Sequence, residues 1–500
     1  MAESPPPPCR DLDWSPARAR ELAGQAVDLW TDVLGRLAEL PVVPGETQAQ
    51  VQAALVRAVP EQPVPLDELA AHLREMLVAH NGHIGHPRFL AYICGSGTVP
   101  GTAADLLASG LAQNAGGWQF SPAAHEIERA VLRWLAAELG LPDTAGGVFV
   151  TGGSIGNLVG LKLARDRLGG SEVRANGLRG RELAVYGSSE AHDTIARAAD
   201  ILGLGSAALR PVPVDAELRL RADALEERLT ADLAAGVRPI ALVGTAGTTG
   251  TGAIDPLPAI ADLAERHGLW FHVDAAYGGP AVLADDLRPL LRGIERADSV
   301  TLDAHKWLYT SASSGCLLVR DQRHLVESFT VDPSYVYEDL ARTGKGMNSA
   351  FFAPTFSRPF DALKVWVSLL AHGRSAYARR ISHDAALARY LDARARAHPD
   401  FEPVSVSLSI CCFRYRPRDL PTGDEADAYA DELNRRLLVE LQLDGRVFPS
   451  NASVHGRFAL RACIVNVRTE APDLDLLLDV AAELGARLDA EARPSGLRAR

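Results

Sequence analysis

Between residues 95 and 373, short and continuously apolar segments alternate with amphipathic helical patterns. Strands this apolar have both faces covered, so the alternation predicts an α/β fold with a mostly parallel sheet and flanking helices. Ligands of such sheets bind at the carboxyl ends of the strands, which makes polar residues at those ends the candidates for a site. The predicted strands are 147–150, 183–186, 240–243, 269–273, 299–302 and 316–319.

The two ends of the chain carry different patterns. Residues 15–79 have helical periodicity broken by proline-rich stretches. Two or three helices without strands rarely fold alone, so we expect this segment to pack on a partner subunit or on the main domain. Beyond residue 373 the sequence predicts a helix, then strands around 404–413 and 458–467 and helices at about 425–443 and 473–488. These patterns predict a helical N-terminal segment over 1–94, a large domain over 95–373 and a small α+β domain over 374–500.

Composition excludes several partners. The formal net charge is −12, with scattered basic residues, which argues against nucleic acid or an anionic membrane. The six cysteines show neither paired nor metal-ligand spacing, so we expect free thiols, no bound metal and a reducing compartment. The N-terminus has no signal-peptide pattern and no apolar run approaches the ~18 residues of a membrane span. A cytoplasmic protein is the expectation.

A glycine-rich turn follows the first predicted strand. The run Thr151-Gly152-Gly153-Ser154 leads from residues 147–150 into a helical pattern. Glycines let backbone N–H groups approach an anion, and a helix N-terminus adds a favourable partial charge. The turn could therefore bind a phosphate, with the Ser154 hydroxyl as a further donor, although such turns are also common packing features.

Asp274 and Lys306 each follow an apolar strand. An unpaired buried carboxylate would cost several kcal/mol, so Asp274 needs a partner: a helix end, an arginine or the protonated nitrogen of a pyridine ring. Burial would lower the pKa of Lys306 and favour its neutral, nucleophilic amine, whereas the alternative is a structural lysine that reaches solvent. A lysine that forms a Schiff base and an aspartate that holds a ring nitrogen protonated are what pyridoxal phosphate requires. With the glycine-rich turn, they predict an amino-acid enzyme that uses this cofactor.

Two further strand-end residues are weaker candidates. The imidazole of His192 follows the strand 183–186 and could stack on a flat cofactor, although a lone histidine is more often structural. Thr245 follows the strand 240–243 and could equally form a hydrogen bond within its own turn.

Taken in order, these motifs resemble the group II pyridoxal-phosphate-dependent amino-acid decarboxylases, most closely their aromatic-L-amino-acid decarboxylase branch. The resemblance runs from His86-Pro-Arg-Phe-Leu-Ala-Tyr92 to Arg457-Phe-Ala-Leu-Arg461, more than two thirds of the chain. It implies the fold type I of pyridoxal-phosphate-dependent transferases, with a mostly parallel seven-stranded sheet. It also implies an obligate homodimer whose active sites lie at the subunit interface.

The resemblance assigns roles to matching positions. Lys306 would carry the cofactor, Asp274 would pair with the pyridine nitrogen and His192 would stack on the ring. The remaining cofactor-binding positions that match are Gly153, Ser154, Thr245, Ala276 and His305.

Tyr335 matches the tyrosine of the family's mobile catalytic loop, which reaches the neighbouring subunit's site. The implied reaction is decarboxylation of an L-amino acid, with Tyr335 protonating the α-carbon to give an amine and carbon dioxide. Relatives with phenylalanine at this tyrosine tend to form aldehydes, so the tyrosine favours simple decarboxylation.

The substrate side chain is less constrained. Ala304 and Pro359 stand where the family often has proline and arginine, respectively. The run Tyr92-Ile93-Cys94 and the pair Asn114 and Gly116 differ from the bulkier apolar residues that shape the family's side-chain pocket. A roomier or more polar pocket is the expectation. It suits a large aromatic amino acid of the tryptophan, tyrosine or phenylalanine type and leaves an aliphatic or polar substrate open.

Two other functions remain to be weighed. The same cofactor could serve an aldehyde synthase or a carbon–carbon lyase, and only the aldehyde route consumes oxygen and releases ammonia and peroxide. A non-catalytic homologue would be expected to lack Lys306, Asp274 or Tyr335, and the sequence retains all three.

Overall fold

The predicted alternation forms a sheet in the computed structural model, which describes residues 11–55, 58–170, 172–330 and 348–497. Its strands are β1 Gly146–Val150, β2 Leu183–Ser188, β3 Leu209–Val212, β4 Arg238–Thr245, β5 Trp270–Asp274, β6 Ser299–Asp303 and β7 Gly315–Val319. Their order is β1-β7-β6-β5-β4-β2-β3, and only β7 runs antiparallel to its neighbours. The prediction of a mostly parallel seven-stranded sheet is confirmed.

Helices precede the large sheet, alternate with its strands and follow it along the chain. They are α1 Pro16–Arg36, α2 Gln48–Leu55, α3 Leu66–Arg74, α4 Val99–Gly110, α5 Pro122–Glu138, α6 Gly153–Leu168, α7 Val173–Asn176, α8 Thr194–Ile201, α9 Ala222–Ala234, α10 Leu257–His267, α11 Arg323–Phe329, α12 Ala362–His372, α13 Arg374–Ala397, α14 Asp424–Asp444 and α15 Ala471–Ala492.

Both faces of the sheet are covered, as its apolar strands require. Leu242 of β4 belongs to an apolar cluster with residues of α9 and α10, whereas Ala241 and Val243 belong to a cluster with residues of α6 and α8. Adjacent strand residues point to opposite faces, so β4 has to be apolar throughout rather than alternating.

The small C-terminal sheet has the order β10-β11-β9-β8 and is antiparallel. Its strands are β8 Phe401–Ser407, β9 Ile410–Tyr415, β10 Ser450–Val454 and β11 Arg457–Cys463. The region around 404–413 therefore holds a hairpin, which turns at Leu408 with φ of 50°. The sequence disguises this turn because neither glycine nor proline interrupts the apolar run.

The N-terminal helices α1, α2 and α3 lie on the outside of the chain and contain no buried residue. None of the 21 residues of α1 is buried, and α1 is joined to α3 by an ion pair between Arg74 and Asp32 at 2.8 Å. Among the described residues, no helix is both long and apolar enough to cross a membrane.

Candidate active site

A cavity of about 320 Å³ opens where β1, β4, β5 and β6 end. The parallel register places Thr245 of β4 beside Asp274 of β5, so polar residues at successive strand ends share one space. All eight residues predicted to bind a cofactor line it: Gly153, Ser154, His192, Thr245, Asp274, Ala276, His305 and Lys306. The lining also includes residues that the sequence did not single out as site residues, among them Asn157, Thr194 and Asp303.

One wall of the cavity is the N-terminus of α6. Gly152 is its N-cap residue, so no side chain competes for the N–H groups of the first turn, which carry a partial positive charge. A Cβ on Gly153 would lie 3.0 Å from Asp303 Oδ2 and 3.1 Å from Ala276 Cβ. This cradle, which a side chain would crowd, fits a phosphate group with Ser154 at its edge.

Asp274 is 7% exposed and holds its carboxylate with neutral donors. Its Oδ2 accepts from Asn157 Nδ2 at 2.8 Å, and its Oδ1 accepts from the backbone N–H of Ala276 at 3.2 Å. Its oxygens form no ion pair within the described ranges, so the arginine partner considered from the sequence is not found there. With only two neutral donors, the carboxylate can accept a further hydrogen bond from a charged donor such as a pyridinium N–H.

Lys306 forms an ion pair with Asp303, at 2.9 Å between Nζ and Oδ2. The expectation that burial leaves the Lys306 amine neutral is wrong. Burial does act to lower the pKa, but the carboxylates of Asp303 and Asp274 outweigh it and raise the pKa of Lys306 above its usual value. Lys306 is therefore an ammonium here and has to lose a proton before it can act as a nucleophile.

Hydrogen bonds orient three further residues predicted to bind the cofactor: His192, His305 and Thr245. The Nδ1 of His192 accepts from the backbone N–H of Thr194 at 3.1 Å, which leaves Nε2 as the donor of the neutral ring. His305 Nδ1 lies 2.8 Å from the carbonyl oxygen of Ser314. The backbone N–H of Thr245 donates to Asp255 at 2.8 Å, and burial raises the pKa of Asp255 to about 6.

The predicted substrate residues Tyr92, Ile93 and Cys94 lie beside the cavity rather than in its lining. The next residue, Gly95, donates its backbone N–H to the carbonyl of His305 at 2.8 Å, so the segment packs against the lysine's own loop. Burial raises the pKa of the Cys94 thiol, although Lys306 acts in the opposite direction.

Asn114 and Gly116 both contact backbone groups of the chain. Asn114 Oδ1 accepts from the N–H groups of Gly116 and Arg358 at 2.9 and 3.0 Å. A Cβ on Gly116 would lie 2.0 Å from the carbonyl oxygen of Phe356. The carbonyl group of Phe356 therefore fills the space that the missing side chain of Gly116 leaves, and the roomier side-chain pocket stays a prediction.

A buried ion pair secures the same region. Arg358 Nη2 lies 2.5 Å from Glu128 Oε1 and 3.1 Å from the carbonyl oxygen of Phe149, while Nη1 donates to Ser349 at 2.7 Å. Arg358 and Glu128 are 4% exposed each. The pair thus connects residues 349–358 to α5 and to β1, next to the phosphate cradle.

Replacement of Arg358 by methionine is expected to lower the free energy of unfolding by about 3–5 kcal/mol, because it leaves the Glu128 carboxylate buried without its partner. Urea unfolding followed by circular dichroism measures the change. The matched control is Arg129→Met, which removes an exposed pair with Glu126 and should cost about 1 kcal/mol or less. Equal losses of unfolding free energy in the two variants would contradict a stabilising role for the buried pair of Arg358 and Glu128.

Four polar residues carry no signal of a site in the sequence: Asn157, Thr194 and Asp303, which line the cavity, and His272, which contacts Asn157. Asp303 stands three residues before Lys306, a spacing that a helical turn brings together, and it directly follows the predicted strand 299–302. Asn157 and His272 lie close in sequence to the glycine-rich turn and to Asp274, which carry the recognisable signals of those two segments. Tyr335 falls outside the described residues.

The comparisons agree with this geometry. The model of the pyridoxal-dependent decarboxylase conserved domain matches residues 47–416. The aromatic-L-amino-acid decarboxylase of Bacillus atrophaeus is 32% identical, with 93% of this chain and 95% of that protein covered. The phenylacetaldehyde synthase of Arabidopsis thaliana is 31% identical, with 90% and 92% covered. The crystal structure of Oryza sativa TDC with PLP and tryptamine superposes with a TM-score of 0.88 at 30% identity, covering 95% of this chain and 99% of that one.

The protein belongs to the pyridoxal-dependent decarboxylase family. The family assignment confirms the predicted resemblance, the cofactor and the class of enzyme: an amino-acid decarboxylase that uses pyridoxal phosphate.

Proposed function

We propose that the protein decarboxylates an aromatic L-amino acid, of the tryptophan, tyrosine or phenylalanine type, to the corresponding amine and carbon dioxide. The observation that carries the proposal is the convergence of Lys306, Asp274 and the α6 N-terminus on one cavity. The likeness to the aromatic-L-amino-acid decarboxylase of Bacillus atrophaeus, which covers 93% of this chain, supports the substrate class.

The proposed roles combine the position of each residue around the cavity with the family resemblance. When bound, pyridoxal phosphate supplies an electron sink for the pair of electrons left by the departing carboxylate. Asp274 keeps the proton on the ring nitrogen, the first turn of α6 with Ser154 holds the phosphate, and His192 covers one face of the ring. Lys306 anchors the cofactor and gives way to the amine of the substrate.

Asp303 is the proposed acceptor of the Lys306 proton. Its carboxylate lies 2.9 Å from Nζ and is 1% exposed. The proton therefore has a short path to an acceptor from which water is excluded. The same ion pair would hold the free ammonium of Lys306 aside while the substrate reacts. Tyr335 would then give a proton to the α-carbon of the substrate, which completes the amine.

We further propose a homodimer in the cytoplasm with active sites at the subunit interface. The subunit leaves apolar side chains of α4 and its surroundings exposed, including Leu106, Leu107, Leu111 and Phe120. Exposed apolar patches of this kind mark protein–protein contacts. The five described cysteines, Cys94, Cys316, Cys411, Cys412 and Cys463, are free, which is compatible with a reducing compartment.

The second candidate is an aldehyde synthase, favoured by the likeness to the Arabidopsis phenylacetaldehyde synthase. A decarboxylase of a non-aromatic amino acid is the other alternative. Incubation of the holoenzyme with a panel of L-amino acids, with carbon dioxide, oxygen, amine and aldehyde all measured, separates the three. Amine from aromatic substrates without oxygen uptake supports the proposal; aldehyde with oxygen uptake, or turnover of aliphatic or acidic substrates alone, contradicts it.

Asp274→Asn is expected to lower kcat by about 10²–10⁴-fold, because loss of a buried charge partner costs about 3–5 kcal/mol. The neutral amide cannot keep the ring nitrogen protonated, so the electron sink weakens while the cavity keeps its shape. Steady-state kinetics of carbon dioxide release measure the effect. The matched control is Asp232→Asn, a buried aspartate of α9 that accepts from the Tyr186 hydroxyl. A kcat for Asp274→Asn close to that of the wild type would refute the role.

A further inference from the structure

Asp274 is the end of a buried chain of hydrogen bonds that begins at Trp270. Trp270 Nε1 donates to Ser299 Oγ at 2.8 Å, and Ser299 Oγ lies 2.8 Å from His272 Nδ1. His272 Nε2 lies 3.0 Å from Asn157 Oδ1, and Asn157 Nδ2 donates to Asp274 Oδ2 at 2.8 Å. The three middle residues are at most 1% exposed, so water does not compete for these bonds.

The chemistry of its two ends gives this chain one direction. An indole N–H can only donate and an ionised carboxylate can only accept. Asn157 therefore donates from Nδ2 to Asp274 and accepts at Oδ1 from His272 Nε2–H, while Ser299 accepts from Trp270. In the neutral imidazole Nδ1 is then an acceptor, which takes the hydrogen of the Ser299 hydroxyl. Burial, which outweighs the opposing effect of Asp274, lowers the pKa of His272 to about 4 and keeps the ring in this neutral form.

Helix α6 is shaped to admit the ring of His272. A Cβ on Gly160 would lie 2.6 Å from His272 Cε1 and 2.7 Å from Nδ1, so any larger residue would displace the imidazole. Asn157 stands three residues earlier on the same helix face. The missing side chain thus lets α6 approach β5 closely enough for the amide of Asn157 to contact both His272 and Asp274.

Asn157 also reaches the other side of the cavity. Its Nδ2 lies 3.1 Å from Thr194 Oγ1, and the backbone N–H of Thr194 donates to His192 Nδ1. One amide therefore orients both Asp274 and the turn that presents His192.

We propose that Ser299, His272 and Asn157 are positioning residues that hold the Asp274 carboxylate correctly oriented for the ring nitrogen of pyridoxal phosphate. The inference rests on the proposed function. Without the chain, one oxygen of Asp274 would be buried without a donor, and the carboxyl group would relieve this by rotation or by taking up a proton. In either state Asp274 would hold the ring-nitrogen proton less tightly.

The test compares two asparagines of matched burial. Asn157→Leu and Asn434→Leu each remove an amide that is at most 1% exposed and makes three hydrogen bonds, but Asn434 bonds only to backbone atoms of the small domain. Fluorescence titration of the apoenzyme with pyridoxal 5′-phosphate measures Kd. We expect Asn157→Leu to raise Kd by about 10–100-fold, as is usual for residues that orient the direct partners of a bound group, and Asn434→Leu to leave it unchanged. Equal Kd values for wild type and Asn157→Leu, or equal increases in both variants, would overturn the proposal.

Substitutions of His272 decide the question even if Asn157→Leu does not fold. His272→Gln keeps an N–H donor near the position of Nε2, whereas His272→Leu removes it. We expect the glutamine to restore most of the affinity, and the bound cofactor of His272→Leu to lose the ring-nitrogen proton at lower pH than wild type in an absorbance titration. Identical titrations for these two variants would refute the inference. A wild-type chain that binds no pyridoxal 5′-phosphate would instead refute the proposed function.

Discussion

Lys306→Ala is expected to abolish decarboxylation, with a loss of at least about 10³-fold, because loss of a covalent-catalysis residue removes most of the rate enhancement. The variant should also lose the link between protein and cofactor that borohydride reduces to a stable bond. Mass spectrometry of peptides after reduction measures this directly. In the wild type the added mass should fall on the peptide that contains Lys306, and in the variant no peptide should carry it.

Lys162 provides a matched control for this experiment. Its side chain is 20% exposed and pairs with Asp166 at 2.5 Å, compared with 21% and 2.9 Å for Lys306 and Asp303. The two lysines thus have similar exposure and each has an aspartate partner, but only Lys306 lines the cavity. Lys162→Ala should keep the reducible cofactor. Cofactor trapped on another lysine in Lys306→Ala, with activity preserved, would contradict the assignment.

The fold could be predicted from the sequence where burial imposes one pattern. Six strands of the large sheet were located because strands covered on both faces are continuously apolar. The seventh, β3, was not located: it pairs only with β2, and residues Leu209 to Pro211 are not fully buried. Pro211 further disguises it, since proline is tolerated in a strand mainly at an edge. β3 therefore lacks the continuous apolar pattern that identifies the other six strands.

The site was predictable to the extent that single residues carry its chemistry. Asp274 and Lys306 stand out because a charge at the end of an apolar strand needs a reason. Asn157 and His272 do not, since their importance comes from the contact between α6 and β5 that Gly160 permits. The charge of Lys306 is hard to predict for a related reason: its strand reveals its burial, but the opposing effect comes from two carboxylates, Asp303 in the adjacent turn and Asp274, which only tertiary structure brings near.

Tyr335→Phe is expected to change the product rather than to stop the reaction. Tyr335 lies 29 residues after Lys306 in the sequence and outside the described residues, so this prediction depends on the family resemblance. Removal of the hydroxyl takes away the proposed proton donor for the α-carbon, and the electron-rich carbon is then free to react with oxygen. Aldehyde, ammonia and peroxide should replace the amine as the main products, with oxygen uptake matching the aldehyde formed. Unchanged amine output would remove Tyr335 from its role.

A mixture of the two variants tests whether Tyr335 acts across the subunit interface. A dimer of one Lys306→Ala and one Tyr335→Phe subunit contains one site with an intact lysine and, if the loop crosses, the intact tyrosine of the other subunit. Co-expression with two affinity tags isolates this mixed dimer, and the amine that it forms is compared with that of each parent. The unselected mixture gives a second readout. If the two subunits pair at random, half of the dimers are mixed and one of the two sites in each is complete, so the mixture should show about a quarter of the wild-type amine-forming activity. If Tyr335 served its own subunit, the mixed dimer would form only aldehyde, because its one subunit with Lys306 would lack the tyrosine. The product of the isolated mixed dimer therefore separates an interfacial active site from two independent ones.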